Sequence, residues 1–228
     1  MTNKTAILIF SNSAKEDAKR KSFSDSKLFE TLTNDTIKKV KKTGLPFFHF
    51  TETEQQGTNF GSRFSNAIQA IFDKGFTNVI SIGNDTPHLK AKHLKQANRK
   101  LIHNQCVFGP SQDGGFYLMG LTKACFKAEA FIKLPWQTPT LKTATLRLFV
   151  SSQNEFQILE TLKDIDSFHD VKIILNSFKT VSKELKTLLL RLCISAKAIP
   201  IYLSNFYRLQ GNNCYFNKGS PLLVSIKN

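Results

Sequence analysis

The chain has 228 residues, 41% of them hydrophobic, which is typical of a soluble globular protein with one good-sized core. Its longest apolar runs, AILIF and LLL, are far shorter than the roughly 20 residues of a membrane-spanning helix. No secretory signal is evident, so we expect a cytoplasmic protein. The four cysteines and five histidines are scattered without metal-ligand spacing, which predicts reduced thiols and argues against a zinc site.

The net charge of +15 is unevenly distributed. Residues 171–228 carry nine basic side chains and one acidic side chain, whereas residues 46–170 are nearly neutral. A basic surface concentrates any anion, whether nucleotide, sugar phosphate, nucleic acid or anionic lipid, so the sign of the charge does not identify a partner. Because no nucleic-acid-binding motif accompanies it, we expect no specific nucleic-acid partner.

Strand and helix signals alternate from the first residues onward. TAILIF is a buried strand, and a polar, lysine-rich loop follows it. The next elements are a helix over SDSKLFETLTNDTIKKVKKTG, the strand PFFHF, the loop QQGTNFGS and the helix RFSNAIQAIFDKGF. The strand NVISI, the helix LKAKHLKQANRKLIHN and the strands QCVFG and FYLMGL come next. This order predicts the α/β class, with one mostly parallel, Rossmann-like sheet and helices on both faces.

The last third of the chain changes in composition. WQTPTLKTATLRLFVSS predicts a helix, FQILETL a strand, and DIDSFHDVKIILNSF a helix capped by Ser167. We divide the chain into a main domain, 1–170, and a basic extension, 171–228, with short strands near Gly211 and Gly219 at its end. The helix of the extension places four leucines on one side: Leu185, Leu188, Leu189 and Leu192.

This leucine face has several candidate partners. It packs either on the main domain or on a second copy of the chain in a homodimer. Weak contact with an anionic membrane is the alternative.

The segment VISIGNDTPHLK ends a buried strand at a carboxylate. Ligands of open α/β sheets bind beyond the carboxyl ends of the strands, where Gly83, Asn84 and Asp85 are predicted to lie. Thr86 followed by Pro87 is typical of a helix start, so the loop is short and held on both sides. Asp85 either binds Mg²⁺ or Mn²⁺ shared with substrate phosphates or caps the next helix, and these residues alone do not decide between the two.

A second candidate segment is FGPSQDGGFYLMG. The Asp-Gly pair between apolar runs predicts a β-hairpin. Gly114 and Gly115 would also let the backbone approach a ligand closely, while Asp113 supplies a second carboxylate or a hydroxyl acceptor. The two readings are compatible because a hairpin can present the acid.

Four segments together resemble a known family. GNDTPHL resembles the motif GSDxPxL, GPSQDGGFYLMGL resembles GPxxDGGYYLIGL, LPWQTPTLKTATL resembles PWSTPxVxxxTL, and LKDIDSFHDV resembles DIDTPEDL. These motifs are typical of bacterial glycosyltransferase-like proteins of the radical-SAM/selenodomain-associated, DUF2064-like type, which have a nucleotide-diphospho-sugar transferase fold. The resemblance covers about residues 5–170 and implies a single sheet of the GT-A type.

The resemblance also implies a site. Asp85 would be a catalytic residue and the ligand of Mg²⁺ or Mn²⁺, and Asp113 a second catalytic carboxylate. In QGTNFGSRF, which resembles QGxxLGxRM, Arg63 would meet phosphate, or else it is a solvated residue of the first helical turn. The remaining candidate contacts to a nucleotide or nucleotide-sugar substrate are Ser11, Lys15, Arg20, Gly57, Gly83, Asn84, Thr86, Pro110, Gly114 and Gly115.

The first loop departs from the family pattern. The family has a basic, glycine-bearing segment, approximately FAKxPxPGxVKTRL, where this chain has FSNSAKEDAKRKSF with Asn12 in place of the usual lysine. Lys15, Lys19, Arg20 and Lys21 still supply positive charge. Two hypotheses follow: a metal-dependent glycosyltransferase or nucleotidyltransferase, or a nucleotide-binding or scaffold protein of the same fold with weakened catalysis.

Overall fold

A computed structural model of the protein describes residues 4–21, 25–153, 155–177 and 180–198. Within these ranges six strands form one sheet in the order β2-β1-β3-β5-β4-β6, and helices cover both of its faces. In chain order the elements are β1 (Thr5–Phe10), α1 (Ala14–Arg20), α2 (Ser26–Lys41), β2 (Phe47–Phe50), α3 (Phe60–Asp73), β3 (Asn78–Ile82), α4 (Ala91–Ile102), β4 (Cys106–Pro110), β5 (Phe116–Thr122), α5 (Ala128–Ile132), α6 (Leu141–Ser151), β6 (Phe156–Ile158), α7 (Phe168–Asn176) and α8 (Lys183–Ala198).

The sheet is parallel except at β5. Strand β1 pairs in parallel with β2 and β3, and β4 pairs in parallel with β6, whereas β5 lies antiparallel between β3 and β4. The predicted α/β class and mostly parallel sheet are therefore confirmed. Because β5 runs in the opposite direction, the loop between β4 and β5 lies at the same edge of the sheet as the carboxyl end of β3.

The central strands are mostly apolar because both faces of the sheet are covered. In β1, Ala6 and Leu8 pack with α3, α5 and α6 on one face, while Ile7 and Ile9 pack with α2 and α4 on the other. This alternation follows from the period of two in a strand. A residue that leaves the end of such a strand emerges between two fixed layers of helices, which restricts where its side chain can lie.

Two predicted helix starts are confirmed by their caps. The carboxylate of Asp25 accepts hydrogen bonds from the backbone N–H groups of Lys27 and Leu28 at the start of α2. Ser167 forms a reciprocal capping box with Asp170 at the start of α7. The second cap matters for the site because it fixes the backbone just after the Asp-Ile-Asp segment.

Two local predictions are wrong. The segment after β1, predicted as a loop, contains the helix α1, which Ser13 caps through its side chain. Thr86 was predicted to cap a helix with Pro87 in its first turn, but α4 begins at Ala91 with Lys90 as its N-cap residue. Thr86 lies instead in a turn, where its hydroxyl donates to the carboxylate of Asp164. Asp85 is therefore not the N-cap residue of α4.

The hairpin predicted at Asp113 and Gly114 is confirmed. Strands β4 and β5 are antiparallel, and Gly114 has a φ of 89°, a conformation that residues with a Cβ rarely adopt. A Cβ at Gly114 would also lie 2.8 Å from the carbonyl oxygen of Pro139. The hairpin loop is thereby packed against the segment that precedes α6.

Helix α8 packs on the rest of the structure through the predicted leucine face. Leu185, Leu188 and Leu189 are buried in a hydrophobic cluster that includes Leu28 and Phe29 of α2. The described part of the extension thus contacts the main domain, while the division at residue 170, the homodimer and the membrane contact remain predictions. The predicted strands near Gly211 and Gly219 lie outside the described residues. Among the described helices, none is long and apolar enough to span a bilayer.

Candidate functional site

A pocket of about 530 Å³ lies at the carboxyl edge of the sheet. It is bounded by the segments that follow β1 and β3, by the β4–β5 hairpin, by the start of α3, and by the loops before α6 and α7. Ligands of α/β sheets bind at this edge because the loops there vary while the strands hold them in place. The pocket is therefore the candidate functional site.

The pocket brings together most of the predicted residues. Those that line it are Ser11, Arg20, Arg63, Gly83, Asn84, Asp85, Asp113 and Gly115. The predicted residues outside its lining are Lys15, Gly57, Thr86, Pro110 and Gly114. Their positions explain this: Lys15 and Gly57 are exposed, Thr86 and Pro110 are buried behind the edge, and Gly114 packs on Pro139.

Asp85 shares a lysine with a carboxylate from a distant part of the chain. The Nζ atom of Lys21 lies 2.9 Å from Oδ2 of Asp85 and 3.1 Å from Oδ1 of Asp166. It also donates to the carbonyl oxygen of Ile165 at 3.0 Å. The Lys21 and Asp85 side chains are only 14% and 15% exposed, and that of Asp166 is 32% exposed. We call Lys21, Asp85 and Asp166 the carboxylate end of the pocket.

Backbone and side-chain contacts hold the Asp164–Asp166 segment against the end of β3. The N–H of Ile165 donates to the carbonyl oxygen of Asp85 at 2.9 Å, and the Thr86 hydroxyl donates to Asp164. Further back, the N–H of Leu162 donates to the carbonyl oxygen of Pro110 at 3.1 Å. These contacts place Asp166 beside Asp85 although the two are far apart in sequence.

A buried acid lies next to the carboxylate end. Asp17 of α1 is 4% exposed and accepts hydrogen bonds from the side-chain amides of Asn12, at 3.0 Å, and Asn84, at 3.3 Å. Burial raises the pKa of Asp17, and the negative charge of Asp85 adds to this, while the charge of Lys21 and the Asn12 hydrogen bond oppose it. Asn84, predicted as a substrate contact, thus donates a hydrogen bond to Asp17 in the floor of the pocket.

Asp113 is held by its own turn. Its Oδ1 atom accepts hydrogen bonds from the Ser111 hydroxyl and, at 3.0 Å, from the backbone N–H of Gly115. Such a turn is typical of Asp in a hairpin loop and fixes the side chain. Asp113 also lines the pocket, and its catalytic role remains a prediction.

Another part of the pocket is lined by aromatic rings. Phe10, Phe60, Phe116 and Trp136 line it, and we call them the aromatic end. The rings of Phe60 and Trp136 have centroids 5.2 Å apart, and Phe64 lies behind them in the core. Trp136 is fixed because its Nε1–H donates to the carbonyl oxygen of Phe131 at 2.7 Å. A Cβ at Gly61 would lie 2.6 Å from two indole atoms, so glycine permits this close approach.

Arg63, in the first turn of α3, also lines the pocket. Its Nε atom is buried and has no hydrogen-bond partner in the described structure. A buried donor without an acceptor is costly, and because Arg63 lines the pocket its guanidinium is a candidate contact to a bound ligand. The observation favours the ligand-binding reading of Arg63 over that of a solvated residue.

Residues 18–138 match the family described as "Uncharacterized protein conserved in bacteria (DUF2064)". This range covers more than half of the chain. The chain belongs to the DUF2064 family. The matched range includes Asp85, Asp113 and Trp136 but ends before Asp166. No curated protein matches the chain.

Solved structures similar to this DUF2064 protein include a protein from Desulfovibrio desulfuricans G20 provisionally named a nucleotide-diphospho-sugar transferase. It is 22% identical, with a TM-score of 0.69 over 85% of this chain and 96% of its own. The predicted GT-A-type fold is thus confirmed. A manganese complex of Rv0371c from Mycobacterium tuberculosis H37Rv is 11% identical, with a TM-score of 0.46 over 77% of this chain and 100% of its own. This second likeness is too distant to carry an argument.

The carboxylate end fits a divalent cation by its donor chemistry. The two carboxylates are close enough to contact one ammonium group, and Mg²⁺ is commonly held by one or two carboxylates together with waters and substrate phosphates. Within the described residues no group of three or more acidic, histidine or cysteine side chains is arranged to hold a metal. The arrangement therefore fits a cation that shares its coordination with a substrate, and does not fit one enclosed by protein ligands.

Proposed function

We propose that this DUF2064 protein is a divalent-cation-dependent transferase that acts on a nucleotide-activated sugar or a related phosphate donor, as a glycosyltransferase or a nucleotidyltransferase. The observation that carries the proposal is the meeting of Asp85 and Asp166 around one cationic group at the carboxyl edge of the sheet. The fold shared with the Desulfovibrio protein supports the general kind of reaction.

Asp85 and Asp166 would hold the cation, Mg²⁺ or Mn²⁺. When bound, it would neutralise charge on the phosphates of the donor. Lys21, Arg20 and Lys163 line the same region and offer hydrogen-bond donors to phosphate oxygens. Asn84 and Asn12 hold Asp17 in place beneath them, so the floor of the site is already ordered before a ligand binds.

The aromatic end would receive a ring of the substrate. Phe60 and Trp136 present apolar surface that packs favourably against a planar base or the apolar face of a sugar. The guanidinium of Arg63 would donate to an oxygen of the same ligand. Asp113, fixed by its turn, would accept a hydrogen bond from a hydroxyl group or take up its proton, which is the role we propose for a second carboxylate.

A second candidate function is nucleotide binding without turnover. Asp17 and Asn12 lie where the family pattern has a basic, glycine-bearing loop, and the chain forms the helix α1 there. The family's segment is suited to phosphates, and this chain lacks that arrangement. This observation favours a protein that retains the fold and the cation site but transfers nothing.

Calorimetric titration tests the proposal. ADP, GDP, CDP and UDP are titrated in Mg²⁺ and then in chelator, with the wild type, Asp85→Asn and the control Asp73→Asn at the exposed end of α3. We expect one nucleotide to bind with metal-enhanced affinity, and Asp85→Asn to lower that affinity by about a hundredfold or more because it removes charge from the cation site. The melting temperature should change little, since the cost to folding is on the order of 1 kcal/mol.

Two results decide between the candidates. Phosphorus NMR of the nucleotide-sugar incubated with acceptors detects glycosyl transfer as the release of a nucleoside phosphate. The same measurement on a nucleoside triphosphate with a sugar phosphate detects nucleotidyl transfer as the release of pyrophosphate. Metal-enhanced binding with no release supports the binding protein. Equal metal-dependent affinity in the wild type and Asp85→Asn would show that the cation site lies elsewhere.

A further inference from the structure

The ammonium group of Lys21 has a complete set of acceptors. It contacts Oδ2 of Asp85, Oδ1 of Asp166 and the carbonyl oxygen of Ile165, all between 2.9 and 3.1 Å. A lysine ammonium has three N–H donors, and here three oxygens surround it. Lys21 is thus coordinated in the way that a small cation would be, and its side chain is 14% exposed.

A divalent cation bound by the same two carboxylates would have to take the position of the ammonium group. Both cations need the same oxygens of Asp85 and Asp166, and two positive charges a few ångströms apart repel strongly in a half-buried site. The ammonium and the metal are therefore mutually exclusive at this pair.

The Lys21 ammonium can occupy a second position within the pocket. Lys21 is the C-cap residue of α1 and has an extended backbone, and its flexible side chain lines the pocket together with Arg20. A ligand with phosphate groups would offer the ammonium new anionic oxygens within the same cavity. The bound phosphates would also contribute oxygens to the metal, so both cations gain ligands in one step.

We infer that Lys21 is an internal cation that occupies the Asp85–Asp166 pair in the absence of substrate and competes with the divalent cation for it. When a nucleoside diphosphate binds, the Lys21 ammonium moves to its phosphates and the metal binds between the two carboxylates. Metal and nucleotide therefore bind cooperatively. The inference rests on the cation site of the proposed function and assigns to Lys21 a positioning role, as the residue that sets the order of binding.

Electron paramagnetic resonance titration of MnCl₂ tests the competition directly, because it measures free Mn²⁺ without any turnover. The proteins are the wild type, Lys21→Met and Lys19→Met. Lys19 is the matched control: it lies in the last turn of α1, is 64% exposed and pairs with Glu16. Each is titrated alone and with ADP, GDP, CDP or UDP.

Without nucleotide, we expect Lys21→Met to bind Mn²⁺ at least tenfold more tightly than the wild type and Lys19→Met. With the nucleotide that binds, the wild type should gain affinity for Mn²⁺ and the difference from Lys21→Met should fall below about threefold. Equal Mn²⁺ affinity of all three proteins without nucleotide would overturn the inference. A gain in Lys21→Met with no nucleotide bound by any protein would support the competition and overturn the proposed function.

Thermal unfolding provides a second readout in case Lys21→Met folds poorly. Removing the ammonium leaves two carboxylates facing each other, so the melting temperature should fall without metal and rise with MnCl₂ by more than in the wild type. In Lys21→Met/Asp166→Asn the rise with MnCl₂ should disappear because only one carboxylate is left. If MnCl₂ stabilises Lys21→Met no more than the wild type, the competition is excluded.

Discussion

The carboxylate end and the aromatic end of the pocket are held in place in different ways. Lys21, Asp85 and Asp166 come from three separate segments, and ion pairs join their side chains. The rings of the aromatic end continue the hydrophobic core, with Phe64 behind them and Trp136 bonded to the backbone at Phe131. A partly buried ion cluster gains little net stability, whereas packed rings gain it from burial.

This difference indicates that the two ends of the pocket have different roles in ligand binding. The carboxylate end can exchange one cation for another with little change in folding free energy, because a positive charge lies between the two carboxylates in either case. The aromatic end cannot rearrange without disturbing the core, since interiors are close-packed. We therefore expect ligand binding to depend on the cation and the phosphates at the carboxylate end. At the aromatic end we expect it to depend on the shape of the ligand.

The largest expected effect is on metal-dependent nucleotide binding at the carboxylate end. Asp166→Asn should weaken it by about a hundredfold or more, as is expected for Asp85→Asn, because each carboxylate supplies charge to the same cation. The loss of affinity in the double variant should be far smaller than the product of the two single losses, because the first change already removes the site. Calorimetry in Mg²⁺ measures this. Independent, multiplicative losses would mean that the two acids serve different ligands.

A smaller effect, on stability, is expected at the aromatic end. Gly61→Ala puts a methyl group against the indole of Trp136 and should lower the free energy of unfolding by about 1–3 kcal/mol. Trp136 is the one tryptophan in the sequence, so its fluorescence emission reports the displacement. Urea denaturation measures the stability, and titration in Mg²⁺ and chelator should show unchanged metal dependence.

The double variant Gly61→Ala/Trp136→Phe is the control for this prediction. The smaller ring leaves room for the new methyl group, so adding Gly61→Ala to Trp136→Phe should cost less than adding it to the wild type. A loss of metal-dependent nucleotide binding in Gly61→Ala would show that the two ends are coupled. It would contradict the separate roles proposed above.

The smallest expected effect is a pH dependence located next to the carboxylate end. Burial raises the pKa of Asp17 above its usual value of 3.8, so the folded protein holds this proton more tightly than the unfolded chain. The resulting stability is complete below pH 3.8 and is lost as the pH rises through the pKa of the folded state. Asp17→Asn should therefore gain stability relative to the wild type as the pH rises above 3.8, as measured by denaturation at successive pH values.

Asp170→Asn is the control with the opposite sign. Burial opposes ionisation of Asp170, but hydrogen bonds from Lys163 and Ser167 prevail and lower its pKa. Its contribution to stability is present above pH 3.8 and is lost as the pH falls, so the wild type should gain on Asp170→Asn as the pH rises. Two difference profiles with the same sign would contradict the account of Asp17.

The sequence was sufficient to predict that Asp85 and Asp113 lie at the candidate site, but it did not predict the partners of Asp85. Asp85 follows a buried strand directly, and strand ends in α/β sheets define the ligand edge. Asp166 was included in a recognised segment, yet its position depends on hydrogen bonds from Ile165 to the Asp85 backbone and from Thr86 to Asp164. Contacts between segments so far apart have no local signal in one sequence.

Lys21 and the aromatic end were missed for related reasons. Lys21 was one of several basic residues in a segment predicted as a loop, and only the helix α1 places it, and not Lys15, at the pocket. The four rings of the aromatic end come from the end of β1, the starts of α3 and β5, and the loop before α6. In sequence each looks like an ordinary core residue, and the sheet order alone brings them together.

Crystals grown with Mn²⁺ and the nucleoside diphosphate that binds give the most direct test of the central claim, because the anomalous signal of manganese locates the ion independently of any assumption about the site. We predict an anomalous peak at about 2.1 Å from oxygens of both Asp85 and Asp166, with phosphate oxygens completing its coordination and Lys21 moved to the phosphates. A bound nucleotide with Lys21 still between the two carboxylates, and manganese elsewhere, would contradict the account.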